Sequence, residues 1–191
     1  MDVLNDAIVF AVEKHSGQTR KMSDTPYILH PLEVAAIIAA MTADRATMAA
    51  GGLHDVVEDC GVSPQEILTR FGARVAELVA YETEDRSSLR PPEETWRERK
   101  EKSLCELRQS QDREVQILWL ADKLSNLRSL SRAYAEQGDA VWQEMHQKDP
   151  AVQGWYYRSV ASAVRGQLGD TAAYREYSSL LKSVFGKEGK A

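Results

Sequence analysis

Apolar residues recur along most of this chain at intervals of three and four, and this spacing limits the possible folds more than any other feature. An amphipathic α-helix requires that spacing, whereas a half-buried strand requires strict alternation. The first apolar stripe comprises Val3, Leu4, Ala7, Ile8, Ala11 and Val12. Because no convincing alternating segment, repeat or low-complexity tract occurs, the 191 residues predict an all-α bundle, one domain of roughly eight or nine helices.

Capping residues mark several helix boundaries. The clearest lies in SPQEILTRFG, where Ser63 is the predicted N-cap, Glu66 completes a capping box and Gly72 fits the position after the helix. Asp44 is a second predicted N-cap, for a helix expected to run without a break to Cys60. The other expected boundaries are Gly17, with an ordered loop over 17–29; Pro31, in a first helical turn; a surface loop over 83–95; Asp112, as an N-cap; and divisions near Gly138, Pro150 and Gly169.

The charge balance and the hydropathy pattern exclude several classes of protein. A net charge of -5 argues against non-specific nucleic-acid binding, which usually requires a basic excess. No apolar run approaches the ~20 residues of a membrane span, and the N-terminus does not resemble a signal peptide. Two cysteines, Cys60 and Cys105, form no disulfide framework and favour a reducing compartment. We therefore expect a cytoplasmic protein that binds neither nucleic acid nor membrane.

The segment GGLHDVVEDC, residues 51–60, places four ionisable side chains in an otherwise apolar stretch. On a helix, Glu58 would lie one turn after His54, and Asp59 one turn after Asp55. The two glycines before them are explained if a neighbouring helix or a ligand approaches closely. Taken alone, the adjacent His and Asp favour a hydrogen-bonded core pair over a metal site.

Two other segments strengthen the metal interpretation. His30 lies in TPYILHPLEVA at a junction between loop and helix, where a lone histidine more often caps a helix or is partly buried. Asp122 falls inside the apolar stripe of ILWLADKLSNLR, where a carboxylate needs a salt bridge or a cation. Together with His54 and Asp55 they offer two imidazoles and two carboxylates. That set suits Mn²⁺, Fe²⁺ or Mg²⁺ better than a closed structural zinc site.

The order His, His-Asp, Asp on an all-helical chain resembles the HD superfamily of metal-dependent phosphohydrolases. The motifs EKHSGQTRK, TPYILHPLEVA, GGLHDVVED, RFGARVAELV and LADKLSNLR are similar, in order and spacing, to those of its alarmone hydrolase branch. The resemblance covers a core from about residue 3 to about residue 160. It implies a single HD-type domain over residues 1–191, with C-terminal helices at about 150–185 packed on the core.

The resemblance implies hydrolysis of guanosine tetra- or pentaphosphate, with release of the 3′-pyrophosphate and one divalent ion, usually Mn²⁺. By position, the metal ligands correspond to His30, His54, Asp55 and Asp122. The pair that handles the attacking water and the protons corresponds to Glu58 and Asp59. The small-molecule nucleotide is expected to contact Arg20, Lys21, Asn126 and, by a looser match, Tyr156.

Elementary chemistry agrees with these roles. A carboxylate one helical turn from the ligands can orient a water or take its proton. Arg20 and Lys21 can neutralise phosphate charge, although both residues are also typical of an ordinary surface loop. Asn126 lies one turn after Asp122 and is expected to face the same cleft.

The chain also departs from the branch. Trp119 stands where many relatives have lysine, and it is expected either to pack in the core or to stack on a base. Arg99 and Lys100 lie in a segment that only approximates the family pattern, and they are weaker candidates for phosphate contacts. The stretch 131–154 is longer than in compact relatives, and no segment resembles a synthetase domain.

Two alternatives therefore remain open. The chain could be an HD phosphohydrolase for another nucleotide, acting as an NADPH phosphatase, a nucleotidase or a nucleoside polyphosphate hydrolase. It could also be a non-catalytic regulatory module on an HD scaffold, which would be expected to lack a ligand or an acid/base residue. The sequence gives no indication of an oligomeric state.

Overall fold

A computed structural model of the chain describes residues 2–21, 23–84 and 90–186, apart from the side chains of residues 92 and 93. Within these residues there are ten α-helices, one of them a single turn, and one 3₁₀-helix. The only β feature in the described part is an isolated bridge between Thr19 and Pro26, so the predicted all-α fold is confirmed. The helices are α1 (Val3–Lys14), α2 (Leu29–Ala39), α3 (Arg45–Leu53), α4 (Val56–Asp59), α5 (Pro64–Phe71), α6 (Ala73–Glu82), α7 (Pro92–Gln109), α8 (Arg113–Gln137), the 3₁₀-helix Gly138–Glu144, α9 (Pro150–Leu168) and α10 (Ala172–Phe185).

The predicted caps lie where the sequence placed them. Ser63 accepts from the Glu66 N–H at 3.1 Å, Asp44 from the Thr47 N–H at 2.9 Å, and Asp112 from the Glu114 N–H at 2.9 Å. Gly72 follows α5 with a φ of 88°, in the left-handed region that glycine adopts without strain. These contacts are local in sequence, which is why local sequence predicts them.

One boundary is confirmed and one differs from expectation. α2 begins at Leu29, so Pro31 is its third residue and lies in the first turn, as predicted. α7 begins at Pro92, several residues before the expected helix start at Trp96, because a proline in the first helical turn leaves no N–H unpaired. Part of the expected loop over 83–95, residues 85–89, lies outside the described residues. The divisions near Gly138, Pro150 and Gly169 are confirmed.

Helix α8 forms the centre of the molecule. Every residue from Val115 to Ser125 is buried, so this part of the helix is enclosed on all sides and not amphipathic. Three helices that precede it in sequence, α2, α3 and α6, pack against it. Two helices that follow it, α9 and α10, also pack against it. Any polar side chain of this segment therefore points into protein or into an internal cavity.

The structure corrects one prediction that matters for the site. The helix that starts after Asp44 is not continuous to Cys60, because α3 ends at Leu53 and a separate turn, α4, begins at Val56. The His54 side chain explains the break. Its Nδ1 donates to the Gly51 carbonyl at 2.8 Å, which in an unbroken helix would accept from the N–H of Asp55.

One of the two glycines in this segment permits close packing of helices. A Cβ placed on Gly51 would lie 2.4 Å from Ile38 Cδ1 and 3.2 Å from Val34 Cγ1, so α2 approaches α3 where glycine leaves room. A Cβ on Gly52 would meet nothing within 4 Å. Because α2 and α3 approach closely, His30 of α2 lies beside His54 at the end of α3, with their ring centroids 5.0 Å apart.

Candidate active site

Four predicted ligands converge from three parts of the fold. His30 lies on α2, His54 and Asp55 lie in the turn between α3 and α4, and Asp122 lies on α8. Ligand atoms of His30, His54 and Asp122 all lie within 4.8 Å of one another. Asp55 Oδ2 lies 3.5 Å from His30 Nε2 and 2.9 Å from His54 Nε2. The interrupted helix is what allows neighbouring residues 54 and 55 to face one point.

The cluster has the properties of a cation site. His54 Nδ1 donates to a backbone carbonyl, which leaves Nε2 as the atom that faces the carboxylates. That buried Nε2 has no hydrogen bond of acceptable geometry within the described residues, although Asp55 and Asp122 lie nearby. Two imidazole nitrogens and two carboxylate oxygens form a donor set that suits a divalent ion with open positions for water. The residues present therefore fit a divalent metal.

The electrostatics of the cluster lead to the same conclusion. Burial lowers the pKa of His54, but Asp55 and Asp122 outweigh burial and raise that pKa well above its ordinary value. Burial raises the pKa of Asp55, but His54 and His30 hold it well below its usual range. The pKa of Asp122 is also well below its usual range, because Lys123 and the two histidines outweigh burial. Both carboxylates are therefore ionised, which is the state that binds a metal ion.

The predicted acid/base pair lies on α4, directly after the ligands. Glu58 and Asp59 both line a cavity of about 750 Å³, which the predicted ligands His30, Asp55 and Asp122 also line. A Glu58 carboxylate oxygen accepts from the backbone N–H of Glu84. Asp59 Oδ2 accepts from the Tyr27 hydroxyl at 3.3 Å. Both carboxylates are therefore held at the cavity wall.

Tyr27 is a site residue that the sequence analysis missed. Its hydroxyl donates to Asp55 Oδ2 at 2.6 Å and lies 3.3 Å from Asp59 Oδ2, so it lies between a predicted metal ligand and Asp59. Burial, reinforced by Asp55, raises the pKa of Tyr27 well above its ordinary value, so the hydroxyl keeps its proton and remains a donor. The available signal was its position three residues before His30 in TPYILHP.

A second missed feature is the buried cation of Lys123. Its Nζ contacts Asp122 Oδ2 and lies 3.1 Å from Glu82 Oε2. Burial raises the pKa of Glu82 to about 7, with Lys123 opposing and Asp122 reinforcing the shift. Because residues 82 and 123 are distant in sequence, neither helix alone indicates this ion pair.

The predicted substrate contacts form a connected group on one side of the cavity. Arg20 Nη2 donates to Asn126 Oδ1 at 2.9 Å, and Asn126 Nδ2 donates to Asp122 Oδ1 at 2.7 Å. Two hydrogen bonds therefore connect Arg20, on the loop before α2, through Asn126 to Asp122, a predicted metal ligand. Arg20, Lys21 and Asn126 all line the cavity.

Arg99 and Lys100 line another part of the same cavity. The carboxylate of Glu84 contacts both of them, and the backbone N–H of the same residue donates to Glu58. Burial lowers the pKa of Lys100, and Glu84 offsets part of that effect. Glu84 thus connects the cations of α7 to Glu58.

Two aromatic residues singled out from the sequence lie in the protein interior. Tyr156 is 4% exposed and contacts the Lys100 ammonium, 4.9 Å from its ring centroid. Among the described residues that line the cavity, its neighbour Tyr157 occurs and Tyr156 does not. Trp119 is 2% exposed, so of its two expected placements the structure shows the core.

No helix in the described part of the chain combines the length and the apolar character that crossing a membrane requires.

Comparison with known proteins places the chain in a family. A family model described as the HD domain matches residues 7–150. The chain is 40% identical over 131 residues to a guanosine-3′,5′-bis(diphosphate) 3′-pyrophosphohydrolase of Vibrio cholerae, covering 68% of this chain and 18% of that protein. It is 39% identical over 128 residues to the bifunctional (p)ppGpp synthase/hydrolase SpoT of Escherichia coli, and the match covers 66% of this chain and 18% of that protein. The chain thus spans about a fifth of the length of these curated relatives.

Two solved structures share the fold of this chain over most of its length. A metazoan ortholog of SpoT, described as hydrolysing ppGpp, superposes with a TM-score of 0.76 and 26% identity, and the match covers 95% of both chains. The protein lmo0812 of Listeria monocytogenes superposes with a TM-score of 0.72 and 32% identity over 83% of this chain and 99% of that one. With its ligand cluster, its helical fold and a family model matched over residues 7–150, this chain belongs to the HD domain family.

Proposed function

We propose that this chain is a metal-dependent phosphohydrolase that removes the 3′-pyrophosphate from guanosine tetra- or pentaphosphate, leaving GDP or GTP. The observation that carries the proposal is the convergence of His30, His54, Asp55 and Asp122 beside a cavity of about 750 Å³ that Glu58 and Asp59 also line. That volume lies within the range of small-molecule sites. The activities described for the Vibrio cholerae relative and for the metazoan ortholog support the substrate class.

The four ligands would hold one divalent ion, and Mn²⁺ is the proposed species because it accepts both imidazole and carboxylate ligands. The chemistry such an ion supplies is electrophilic, since it polarises a phosphoryl oxygen and makes a water more acidic. Asp122 receives hydrogen bonding from Asn126, and Asp55 from Tyr27. These contacts orient both carboxylates.

Glu58 and Asp59 are proposed to manage the attacking water and the protons. Both lie on the turn that follows the ligands, and neither is part of the ligand cluster. A carboxylate held at the cavity wall can orient a water and accept its proton, and such a role contributes about 10²–10⁴-fold to rate. The backbone N–H of Glu84 holds Glu58 in position.

The substrate is proposed to bind through Arg20, Lys21 and Asn126, with Arg20 and Lys21 neutralising phosphate charge. Asn126 lies between Arg20 and Asp122 and is hydrogen-bonded to both. Its amide is proposed to bond a sugar hydroxyl of the substrate near the metal. Arg99 and Lys100 are proposed as additional phosphate contacts because they line the same cavity. Tyr156 would act through Lys100, which it contacts. The small-molecule substrate and the free thiols of both cysteines fit a cytoplasmic protein.

The alternatives differ in how the structure bears on them. Trp119 kept a different nucleotide substrate in consideration because it stands where many relatives have lysine. It is packed in the core and offers no aromatic surface for base stacking, but the lysine charge is still missing, so a different nucleotide stays the alternative. A regulatory module was expected to lack a ligand or an acid/base residue, and all six positions are occupied by suitable side chains.

A product assay tests the proposal. Purified protein is incubated with guanosine tetraphosphate, NADPH and a nucleoside 5′-monophosphate, each with Mn²⁺ and with chelator. We expect pyrophosphate and GDP from the first substrate, only when Mn²⁺ is present. Orthophosphate from NADPH or from the monophosphate as the main product would favour another nucleotide. No turnover of any of the three with Mn²⁺ would favour a regulatory module.

A further inference from the structure

A short chain of hydrogen bonds lies behind His30, on the side away from the ligand cluster. His30 Nδ1 lies 2.8 Å from Ser125 Oγ, and Ser125 Oγ lies 2.6 Å from Glu33 Oε2. His30 and Ser125 are buried, at 4% and 0% exposed. The three residues come from α2 and α8, the helices that supply two of the metal ligands.

The direction of these hydrogen bonds follows from the number of protons available. Ser125 has one hydroxyl proton, and a carboxylate can only accept, so that proton points at Glu33. Ser125 must therefore accept from His30, which places the ring proton on Nδ1. In a neutral imidazole this leaves the lone pair on Nε2, the atom that lies 3.1 Å from Asp122 Oδ1 in the ligand cluster.

Glu33 is itself held from its other side. Arg128 Nη1 donates to Glu33 Oε1 at 2.9 Å. The same guanidinium donates to both carboxylate oxygens of Glu176 on α10, at 2.6 and 2.7 Å. One oxygen of Glu33 is therefore occupied by Arg128, and the other is left to receive the hydroxyl of Ser125.

We propose that Glu33 is a positioning residue that acts through Ser125 to fix His30 as the Nδ1–H tautomer, and so presents the Nε2 lone pair to the metal. Glu33 makes no direct contact with the ligand cluster among the contacts of the described residues. Residues that orient a metal-binding histidine in this way typically change metal affinity 10–100-fold when altered. The inference rests on the proposed function only in taking His30 as a metal ligand.

The tautomer can be observed directly in metal-free protein. ¹⁵N NMR of the His30 ring should show a proton on Nδ1 in the wild type, whether or not Nε2 beside Asp122 also carries one. In Glu33→Ala the Ser125 hydroxyl becomes free to donate to Nδ1, so the population with the proton on Nε2 should rise. Mn²⁺ affinity, measured by EPR of the free ion, should weaken by about 10–100-fold.

Two further variants separate positioning from a general loss of structure. Glu33→Gln retains an oxygen that accepts from Ser125, so it should restore the wild-type tautomer and most of the Mn²⁺ affinity. Ser103→Ala is the matched control, because Ser103 is a buried serine whose hydroxyl donates to its own helix at Arg99. It should leave both readouts unchanged. If Glu33→Ala does not fold, Ser125→Ala replaces it, since Nδ1–H then loses its acceptor.

The inference is overturned if His30 Nδ1 carries no proton in metal-free wild-type protein. It is also overturned if Glu33→Ala, or Ser125→Ala in its place, keeps both the wild-type tautomer and the wild-type Mn²⁺ affinity. No nucleotide is present in either measurement. A protein with the expected tautomer that fails to hydrolyse guanosine tetraphosphate would therefore contradict the proposed function and leave this inference standing.

Discussion

Glu58 allows metal binding and chemistry to be tested separately. It lines the cavity and accepts from the Glu84 N–H, and it is not one of the four predicted ligands. We expect Glu58→Gln to retain metal and thermal stability while kcat falls by about 10²–10⁴-fold, the usual contribution of a general base. Steady-state kinetics with metal analysis of the same sample measures both. Glu77→Gln, at an exposed glutamate on α6, should behave like the wild type, and wild-type kcat in Glu58→Gln would reject the assigned role.

Arg20 is expected to contribute binding energy and not chemistry. Its guanidinium lies on the loop before α2 and reaches Asn126 and Ser129. A hydrogen bond to a charged group is worth about 1.5–3 kcal/mol, so Arg20→Ala should raise KM by roughly 10- to 100-fold with little change in kcat. Arg132→Ala is the matched control, because it removes an exposed guanidinium that also donates to Ser129. A fall in kcat at constant KM would contradict this assignment.

The sequence singled out the four candidate ligands that the structure brings together, but not the residues around them. His30, His54, Asp55 and Asp122 are each conspicuous because a polar group interrupts an apolar pattern. Partners such as Lys123 and Glu84 are charged residues of ordinary appearance, and their roles arise only when helices dock. Lys123 meets Glu82 across 41 positions, and Glu84 meets Lys100 across 16. The residues next to each partner in sequence do not indicate such distant ion pairs.

The N-terminus of α8 depends on a single aspartate. Asp112 Oδ1 accepts from the Glu114 N–H, and its Oδ2 lies 2.7 Å from Arg74 Nη1. We expect Asp112→Ala to lower the free energy of unfolding by about 0.5–2 kcal/mol, the usual cost of losing such a cap. Urea denaturation of the metal-free protein measures this change. Asp112→Asn preserves a capping oxygen and should lose less; an equal loss in both variants would contradict the capping role.

The contribution of Asp112 should also depend on pH. The hydrogen bond from Arg74 holds the pKa of Asp112 below its ordinary value, with burial opposing it and the Glu114 N–H assisting. A lowered folded-state pKa stabilises the protein above the unfolded value of about 3.9 and loses that effect as pH falls through the folded value. The difference in stability between wild type and Asp112→Ala should therefore shrink in acid. A difference that stays constant across that range would exclude the ionised carboxylate as its source.

The starts of the capped helices α3, α5 and α8 were predictable, whereas the start of α7 and the break after α3 were not. The caps of α3, α5 and α8 bind N–H groups two or three residues away, so their signals lie within one turn. The break at residues 54 and 55 arises because a histidine side chain competes with the backbone for the Gly51 carbonyl. Periodicity cannot reveal that competition, since the apolar pattern continues through Val56 and Val57.

Metal should stabilise the assembled bundle, because the ligands come from α2, the turn between α3 and α4, and α8. Binding to the folded state alone adds about 2.7 kcal/mol to the free energy of unfolding when free ion is at 100 times its Kd. We therefore expect Mn²⁺ to raise Tm and chelator to reverse the rise, measured by calorimetry. Asp122→Asn should remove most of the rise, whereas Asp170→Asn, at an exposed residue after α9, should retain it. Equal rises in both variants would place the ion elsewhere.

The enclosure of α8 by its neighbours has a consequence for biosynthesis. The ligand set begins on α2 at residue 30 and is completed only on α8 at residue 122. A nascent polypeptide that stops before Asp122 would lack both a ligand and the central helix that gathers the others. Incomplete translation products that end before Asp122 are therefore expected not to hold the ion, which could bind only after this part of α8 has been synthesised.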